Sequence, residues 1–264
     1  MLHRRSRALA SALAGALLAA EPLHAESALR FELPDRFGAI PAATYDTQRE
    51  RVGAAHLVME RLDDGKVRIV SESGITDGAR SVATAELEPD ADGRWLRLLV
   101  EESRSFDREG KPRGLLRIDH RARLGSCERL DADEEARTLE LPDPDRVANV
   151  PMNLLFLPLV RGSEERVDFQ LFLCRGGPRL VGFRATRVPS SGRDGSQQVV
   201  EIRFAPQLGP ILSLIAPSFL PKLSFWFARA KPHPWLAHRI PLYSDGPEVL
   251  VIRDGIPPRW LADE

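Results

Sequence analysis

Cysteine is scarce in this sequence, and it also lacks an excess of positive charge and internal repeats. The 264 residues contain two cysteines, so a fold held by many disulfides is excluded, and a chain of this length buries a sizeable core without disulfides or metals. Positive charge is not in excess, because 37 Lys and Arg face 38 Asp and Glu, and no basic stripe of the kind that binds nucleic acid is present. No period of about 20 to 50 residues recurs, which excludes a solenoid or a propeller.

Catalytic motifs are also missing. The sequence has no Gly-x-Ser-x-Gly nucleophile elbow, and the fragment that comes nearest to one is Gly125-Ser126-Cys127. His120 lies close to that fragment, but it alternates with Arg121 in what reads as a surface strand, so we interpret it as a structural histidine. We therefore predict that the protein is not an enzyme and needs no cofactor.

The sequence also lacks metal-ligating residues at the spacings that calcium and zinc sites use. The acidic stretch that begins at Leu130 lacks the Asp-x-Asp-x-Asp-Gly spacing of a calcium loop and is interpreted as a solvated connector. His233 and His238 flank Trp235, but no third ligand accompanies them at a zinc-site spacing. No metal site is predicted.

The N-terminal residues have the outline of a secretory signal peptide. Three arginines, up to Arg7, precede the apolar run Ala8–Ala20, which is shorter than the ~20 apolar residues of a membrane-spanning helix. Cleavage is expected after Ala25 or, alternatively, after Ala20, and no cysteine near these positions is available for a lipid anchor. We predict a signal peptide at 1–25, a single β-rich domain at 26–264, and an exported protein that is soluble in the periplasm after cleavage.

The two cysteines leave two alternatives open. An oxidising compartment would allow Cys127 and Cys174 to form a disulfide, for which only one connectivity exists. The other alternative is a pair of buried thiols on neighbouring strands, because cysteine is often buried unpaired.

Two β-hairpins are the clearest local predictions. Residues 167–174 alternate in the period-2 pattern of a strand, and Arg175-Gly-Gly-Pro178 then reverses the chain into a partner strand from Arg179 to Arg187. Asp64-Gly65 supplies the turn of an earlier hairpin. Both signals favour antiparallel pairing of neighbouring strands.

Helical patterns are few. Asn149 can cap a short helix that has Pro151 in its first turn, and Pro158 is expected to end that helix. The fold class predicted is mostly β, as a curved antiparallel sheet or half-barrel with two or three short helices packed in or near its concave face.

The most apolar stretch, Leu208–Phe227, has two interpretations. Pro210, Pro217 and Pro221 forbid a continuous helix, so a short helix and a kinked segment are expected before a strand that starts at Leu223. The stretch either closes the core, as apolar runs usually do, or forms a flap over a ligand cavity or a membrane surface.

The order and character of these elements resemble a known group of proteins. The helix at Val150–Leu157, the strand Phe169–Cys174 and the aromatic strand Phe225–Phe227 before Pro234-Trp235 are similar to uncharacterised exported proteobacterial proteins, whose fold is similar to the lipoprotein-carrier and lipoprotein-receptor half-barrels. That resemblance implies a strongly curved antiparallel sheet that holds helices in its mouth, with a cavity for acyl chains. Only the architecture is carried over, because the chain has no lipidation cysteine and contains the unusual insertion Gly209–Pro221.

Two functional hypotheses follow. The first is a non-catalytic periplasmic or cell-envelope protein, expected to be a monomer, that binds a lipid or another apolar ligand in a half-barrel cavity. The predicted cavity residues are Phe169, Leu171, Leu173, Ile211, Leu214, Ile215, Phe225 and Phe227. The alternative is an interaction protein that docks the apolar 209–227 segment on a partner or a membrane surface. Neither hypothesis includes a nucleic-acid partner.

Overall fold

Strands make up most of the fold. The computed structural model describes residues 28–132, 134–188, 199–207, 223–243 and 246–257. Its strands are β1 (Phe31–Glu32), β2 (Gly38–Tyr45), β3 (Arg51–Arg61), β4 (Val67–Gly74), β5 (Arg80–Pro89), β6 (Trp95–Phe106), β7 (Pro112–Asp119), β8 (Leu124–Arg129), β9 (Arg137–Glu140), β10 (Arg166–Leu173), β11 (Arg179–Arg187), β12 (Val199–Pro206), β13 (Leu223–Ala228), β14 (Trp235–Pro241) and β15 (Glu248–Arg253).

All fifteen strands belong to one antiparallel sheet. The strand order is β10-β11-β12-β13-β14-β15-β2-β3-β4-β5-β6-β7-β8-β9, and β1 pairs with β6 outside this path. The two halves of the chain therefore join where β15 pairs with β2. Most neighbours in the order are also neighbours in sequence, which confirms the antiparallel, mostly β prediction.

The two predicted hairpins are present. In the β10–β11 pair Leu173 lies opposite Arg179, and Gly176 and Gly177 in the turn have φ angles of 71° and 110°, which glycine adopts without strain. In the β3–β4 pair Arg61 lies opposite Val67 across the turn that contains Gly65.

Helical structure is less extensive than predicted. The described residues form one helical segment, interrupted at Phe156 into α1 (Met152–Leu155) and α2 (Leu157–Arg161), and one 3-10 turn at Pro144–Arg146. The expectation that Pro158 ends the helix is wrong: Pro158 lies in the first turn of α2, where a missing N–H breaks no helical bond, and Gly162 ends the helix in the left-handed conformation. None of these helices is long and apolar enough to cross a membrane.

The helical segment lies inside the rolled sheet. Phe156 is fully buried, and its ring contacts Phe169, Phe204 and Phe225 at centroid distances of 5.9, 5.5 and 5.4 Å. The main core cluster contains residues of both helices and of strands on both sides of the β15–β2 junction. The sheet therefore wraps around the helical segment and packs its inner face against it.

The two ends of the sheet overlap. β10 buries Phe169 in the main core with one face, and with the other it buries Phe172 against Leu116 and Ile118 of β7, at the opposite end of the strand order. Gly125 of β8 makes this contact possible, since a Cβ there would lie 2.3 Å from the Phe172 ring. Among the described strands no backbone pairing joins these ends, so the sheet is open and its overlap is held by side chains.

A disulfide fastens the overlap. Cys127 in β8 is bonded to Cys174, the residue that follows β10. Of the two alternatives that the sequence left open, the structure has the bonded one. The bond joins strands that lie at opposite ends of the sheet, not adjacent strands.

Residues 146–149 cover the outer edge of β10. Ala148 N donates to Gln170 O, and the Asn149 side-chain amide pairs with both backbone groups of Phe172 at 2.7 and 2.9 Å. Arg146 donates to the carbonyl of Asp168. Asn149 is thus not the helix cap that the sequence suggested, because its side chain is used to pair with a strand edge.

Candidate functional site

The predicted cavity residues occupy three different environments. Phe169, Phe225 and Phe227 are at most 4% exposed and belong to the aromatic cluster around Phe156, which fills the interior. Leu171 and Leu173 are half-buried. The remaining three, Ile211, Leu214 and Ile215, lie outside the described residues together with most of the predicted flap, and so does the predicted signal peptide.

An open apolar cavity lies beside the aromatic cluster. Its volume is about 300 Å³, and we refer to it as the outer cavity. It lies between residues 33–40, the helical segment and the start of β14. Its apolar lining includes Leu33, Pro34, Phe37, Ile40, Met59, Leu154, Leu157, Phe227 and Trp235. Of the residues predicted from the sequence, Phe227 lies in this wall.

A smaller cavity lies behind the outer one. This inner cavity has a volume of about 100 Å³, and Asn153 and Trp235 line both cavities, so they form the partition between them. Phe225, Val251 and Met152 contribute apolar surface, and His238 is part of the wall.

Polar groups at the partition are deeply buried and poorly paired. Trp235 is 5% exposed, and its Nε1 has no hydrogen-bond partner among the described residues. The Asn153 amide makes one side-chain contact, a long one of 3.7 Å to Met59 Sδ. Burial lowers the pKa of His238 to about 4, so this ring is neutral at physiological pH.

Charged side chains line part of the outer cavity. Arg161 forms ion pairs with Glu32 and Asp35. Arg253 also lines the cavity, and no carboxylate of a described residue is within ion-pair distance of it. Within the described part of the chain, the cavity therefore has a guanidinium without a carboxylate partner next to apolar surface.

A third cavity, of about 520 Å³, has a different character. It lies at the overlap, where the Cys127–Cys174 bond forms part of its wall. Charged groups at its rim neutralise one another, as Arg129 pairs with Asp131 and Glu134, and Arg137 pairs with Glu134. Although it is the largest of these three cavities, its mutually paired charges make it a weaker candidate for an apolar ligand than the outer cavity. No group of His, Cys, Asp or Glu in the described parts of the chain is arranged to hold a metal ion.

A buried ion pair supports the segment that covers β10. His120 is 7% exposed, not on the surface as its sequence context suggested, and Glu101 is fully buried. His120 Nδ1 lies 3.0 Å from the Pro144 carbonyl, which only accepts, so Nδ1 donates; Nε2 lies 3.0 Å from Glu101 Oε1. The other Glu101 oxygen accepts from the backbone N–H groups of Asn149 and Val150. A protonated imidazole, which donates from both nitrogens, fits this geometry.

The pKa of His120 agrees with this geometry. Burial alone lowers the pKa, but the hydrogen bond to Glu101, its charge and the Pro144 carbonyl outweigh burial, so the pKa of His120 is raised above its usual value of 6.5. A raised folded-state pKa means that the pair contributes its full stability below about pH 6.5 and loses it as the pH rises through the folded-state pKa.

A His120→Gln substitution tests this pair. We expect it to reduce the free energy of unfolding more at about pH 6 than at about pH 9, because the imidazolium that it removes is present in the folded protein at the lower pH. Urea unfolding of both proteins across this range measures the difference. His56→Gln is the matched control, because His56 pairs with Glu72 at 3.7 Å on the surface with 44% of its side chain exposed, and such pairs contribute little. An equal loss at both pH values would contradict the assignment.

Sequence reasoning missed the partition residues. The sequence showed His238 in an apolar strand and Asn153 in an apolar helix, and a polar residue at a buried position was the available signal. That signal did not identify a common site, because the sequence does not show how the sheet rolls and so does not show that His238 and Asn153 line the same cavity.

Comparisons with known proteins add little to this description. No family model matches the chain, and no curated protein matches it. A solved structure, the beta-barrel-like protein of domain of unknown function DUF1849 from Brucella abortus, matches with a TM-score of 0.38 and 13% sequence identity, over 83% of this chain and 97% of that chain.

Proposed function

We propose that this protein is a non-catalytic binding protein that holds a lipid or another apolar ligand in the outer cavity. The observation that carries the proposal is an open cavity with an apolar wall beside the buried aromatic cluster. Its volume is at the lower end of the range of about 300 to 1,000 Å³ usual for ligand sites. Arg253 in its wall adds a cation that can hold the anionic group of an amphiphile.

Export to the periplasm is part of the proposal. The Cys127–Cys174 bond supports it, because structural disulfides persist in oxidising compartments and are rare in the cytosol. The charged and apolar N-terminal pattern is consistent with the same route. A lipoprotein-carrier type of half-barrel acting as a monomer is the finer form of this proposal.

A non-catalytic role is supported by the surroundings of the histidines. His238 packs against Phe225 and Trp235, at ring-centroid distances of 5.0 and 5.4 Å. The other buried histidine, His120, is held between Glu101 and the Pro144 carbonyl and lines neither the outer nor the inner cavity.

Filling the outer cavity tests the proposal. Leu33 is half-buried in its wall, and a Leu33→Trp substitution places a larger, aromatic side chain there. We expect the wild type to bind dansyl-undecanoic acid, measured by fluorescence titration, and the variant to bind it about tenfold more weakly or worse, a loss of about 1.4 kcal/mol.

The matched control for this experiment is Leu180→Trp. Leu180 is also half-buried, but it packs against the overlap cluster of Phe172 and lines neither the outer nor the inner cavity. We expect its affinity for the probe to equal that of the wild type. A wild-type protein that binds no probe and carries no lipid in native mass spectrometry would refute the proposed function, and so would equal losses in both variants.

A further inference from the structure

Three polar side chains that are each at least nine-tenths buried lie close together here: two in the partition and one, His238, in the wall of the inner cavity. Trp235, Asn153 and His238 are 5%, 9% and 9% exposed. Buried polar groups are normally hydrogen-bonded, and one that is not requires an explanation. The Trp235 indole N–H is buried and has no hydrogen-bond partner among the described residues.

The hydrogen-bonding capacity of this group points to an acceptor. An indole N–H only donates, and the Asn153 amide can release its weak contact with Met59 Sδ and donate from Nδ2. His238 is neutral at physiological pH, so its ring supplies one further donor and one acceptor without a positive charge. An oxygen acceptor that bonds to these donors would satisfy groups that the protein leaves unpaired.

The charge of the surroundings excludes an anion at this position. No lysine or arginine lines the inner cavity along the described chain, and Glu72, which pairs with Arg80, is part of its wall. The arginines that line the outer cavity, Arg36, Arg161 and Arg253, do not line the inner one. A carboxylate at the partition would lose its hydration without gaining a cation, whereas an uncharged carbonyl incurs no such cost.

Apolar surface lies on both sides of the partition. The outer cavity is lined by Leu33, Leu154 and Leu157, and the inner cavity by Leu57, Phe225 and Val251. A carbonyl at the partition would therefore have an apolar group on each side of it, as in an ester or amide, but not in a free fatty acid with a terminal carboxylate.

We propose that Trp235, Asn153 and His238 recognise the uncharged carbonyl of an acyl ester or amide whose two apolar parts occupy the outer and inner cavities. This inference rests on the proposed function and names the ligand class of the same site. Because Trp235 Nε1 is enclosed in the wall, the ligand reaches it when the partition side chains rotate and the two cavities join. Asn153 is free to do so because its amide is held by one weak contact.

The test compares two probes that differ in one carbonyl group. Hexyl octanoate and hexyl octyl ether have the same chains, and each is titrated as a competitor of dansyl-undecanoic acid. We expect the wild type to bind the ester about tenfold more tightly than the ether, since a satisfied buried donor has about this effect. Trp235→Phe keeps an aromatic ring and removes the N–H that has no partner within the protein, so it should lose most of the preference for the ester. Trp226→Phe is the matched control, because Trp226 packs in a separate cluster and lines neither cavity, and it should keep the preference.

A second measurement uses the wild type alone and does not depend on the folding of a variant. The Trp235 indole N–H resonance, assigned by its loss in the Trp235→Phe spectrum, or by selective labelling if that variant does not fold, should shift downfield when hexyl octanoate is added and not when the ether is added. Equal affinity of the wild type for both probes, a preference retained in Trp235→Phe, or an unmoved indole resonance would each overturn the carbonyl site while leaving the proposed function standing. If none of the three probes binds to the wild type, the proposed function fails as well.

Discussion

Substitution of Gly125 by alanine is expected to destabilise the protein by about 1 to 3 kcal/mol, because the added methyl group overlaps a fully buried aromatic ring. The Cβ would lie 2.3 Å from Phe172 Cε2, and the ring cannot move freely since Leu116, Ile118 and Val147 pack around it. At about 2 to 4 °C per kcal/mol, the melting temperature should decrease by roughly 2 to 12 °C, measured by circular dichroism.

Gly114→Ala is the matched control for this substitution. Gly114 also lies in a strand at the same end of the sheet, but its added Cβ would meet the Ser105 hydroxyl at 3.3 Å, which can rotate away, and the Glu128 carbonyl at an ordinary contact distance of 3.6 Å. We expect a change in melting temperature of less than about 2 °C there. The double variant Gly125→Ala, Phe172→Leu should recover part of the loss. Equal effects of the two alanines would show that the overlap is not tightly packed at Phe172.

Removal of the disulfide is expected to have the largest effect on stability. The bonded cysteines are separated by 47 residues, and closing a loop of that length contributes ~4 kcal/mol in the chain-entropy model. Replacing Cys127 and Cys174 together by serine should therefore lower the melting temperature by roughly 8 to 16 °C. Hydrogen exchange should increase most in β8 and β10, because the bond joins these two strands across the overlap.

Reduction of the wild-type protein provides an independent comparison. A reducing agent should lower its melting temperature towards that of the double serine variant and should not affect the variant itself. The free-thiol count of denatured, unreduced wild-type protein should be zero. Two titratable thiols, or a double variant that melts within about 2 °C of the wild type, would contradict a structural role for the bond.

The sequence was most informative about local structure. Asp64-Gly65 and Gly176-Gly177 predicted hairpins because few other residue pairs adopt the backbone angles of these turns, and both hairpins are present. Both hairpins favoured antiparallel pairing of neighbouring strands, which the sheet has. These signals act over fewer than about ten residues, so they do not depend on how the sheet curves.

The rolling of the sheet could not be predicted in the same way. β10 carries Phe169 on one face and Phe172 on the other, which indicates burial on both sides but does not identify the partner of either face. The partner of Phe172 is Ile118, more than fifty residues away in sequence. The cavity was predicted among Phe169, Phe225 and Phe227, yet Phe156 packs between the first two, because the helical segment fills the space that the strand pattern left open. The two cavities lie beside that segment, and of the predicted residues Phe227 lines the outer one and Phe225 the inner one.

The cover on β10 has a consequence for association between molecules. A strand at the end of a sheet normally offers a row of free N–H and C=O groups to which a second chain can add. In β10 the outward groups of Asp168, Gln170 and Phe172 are already bonded to Arg146, Ala148 and Asn149 of the same chain. A second molecule can therefore extend the sheet at this edge only after residues 146–149 detach, and the Glu101 carboxylate, which holds the N–H of Asn149, opposes that step. The same few residues that complete the fold thus also protect it from edge-to-edge aggregation.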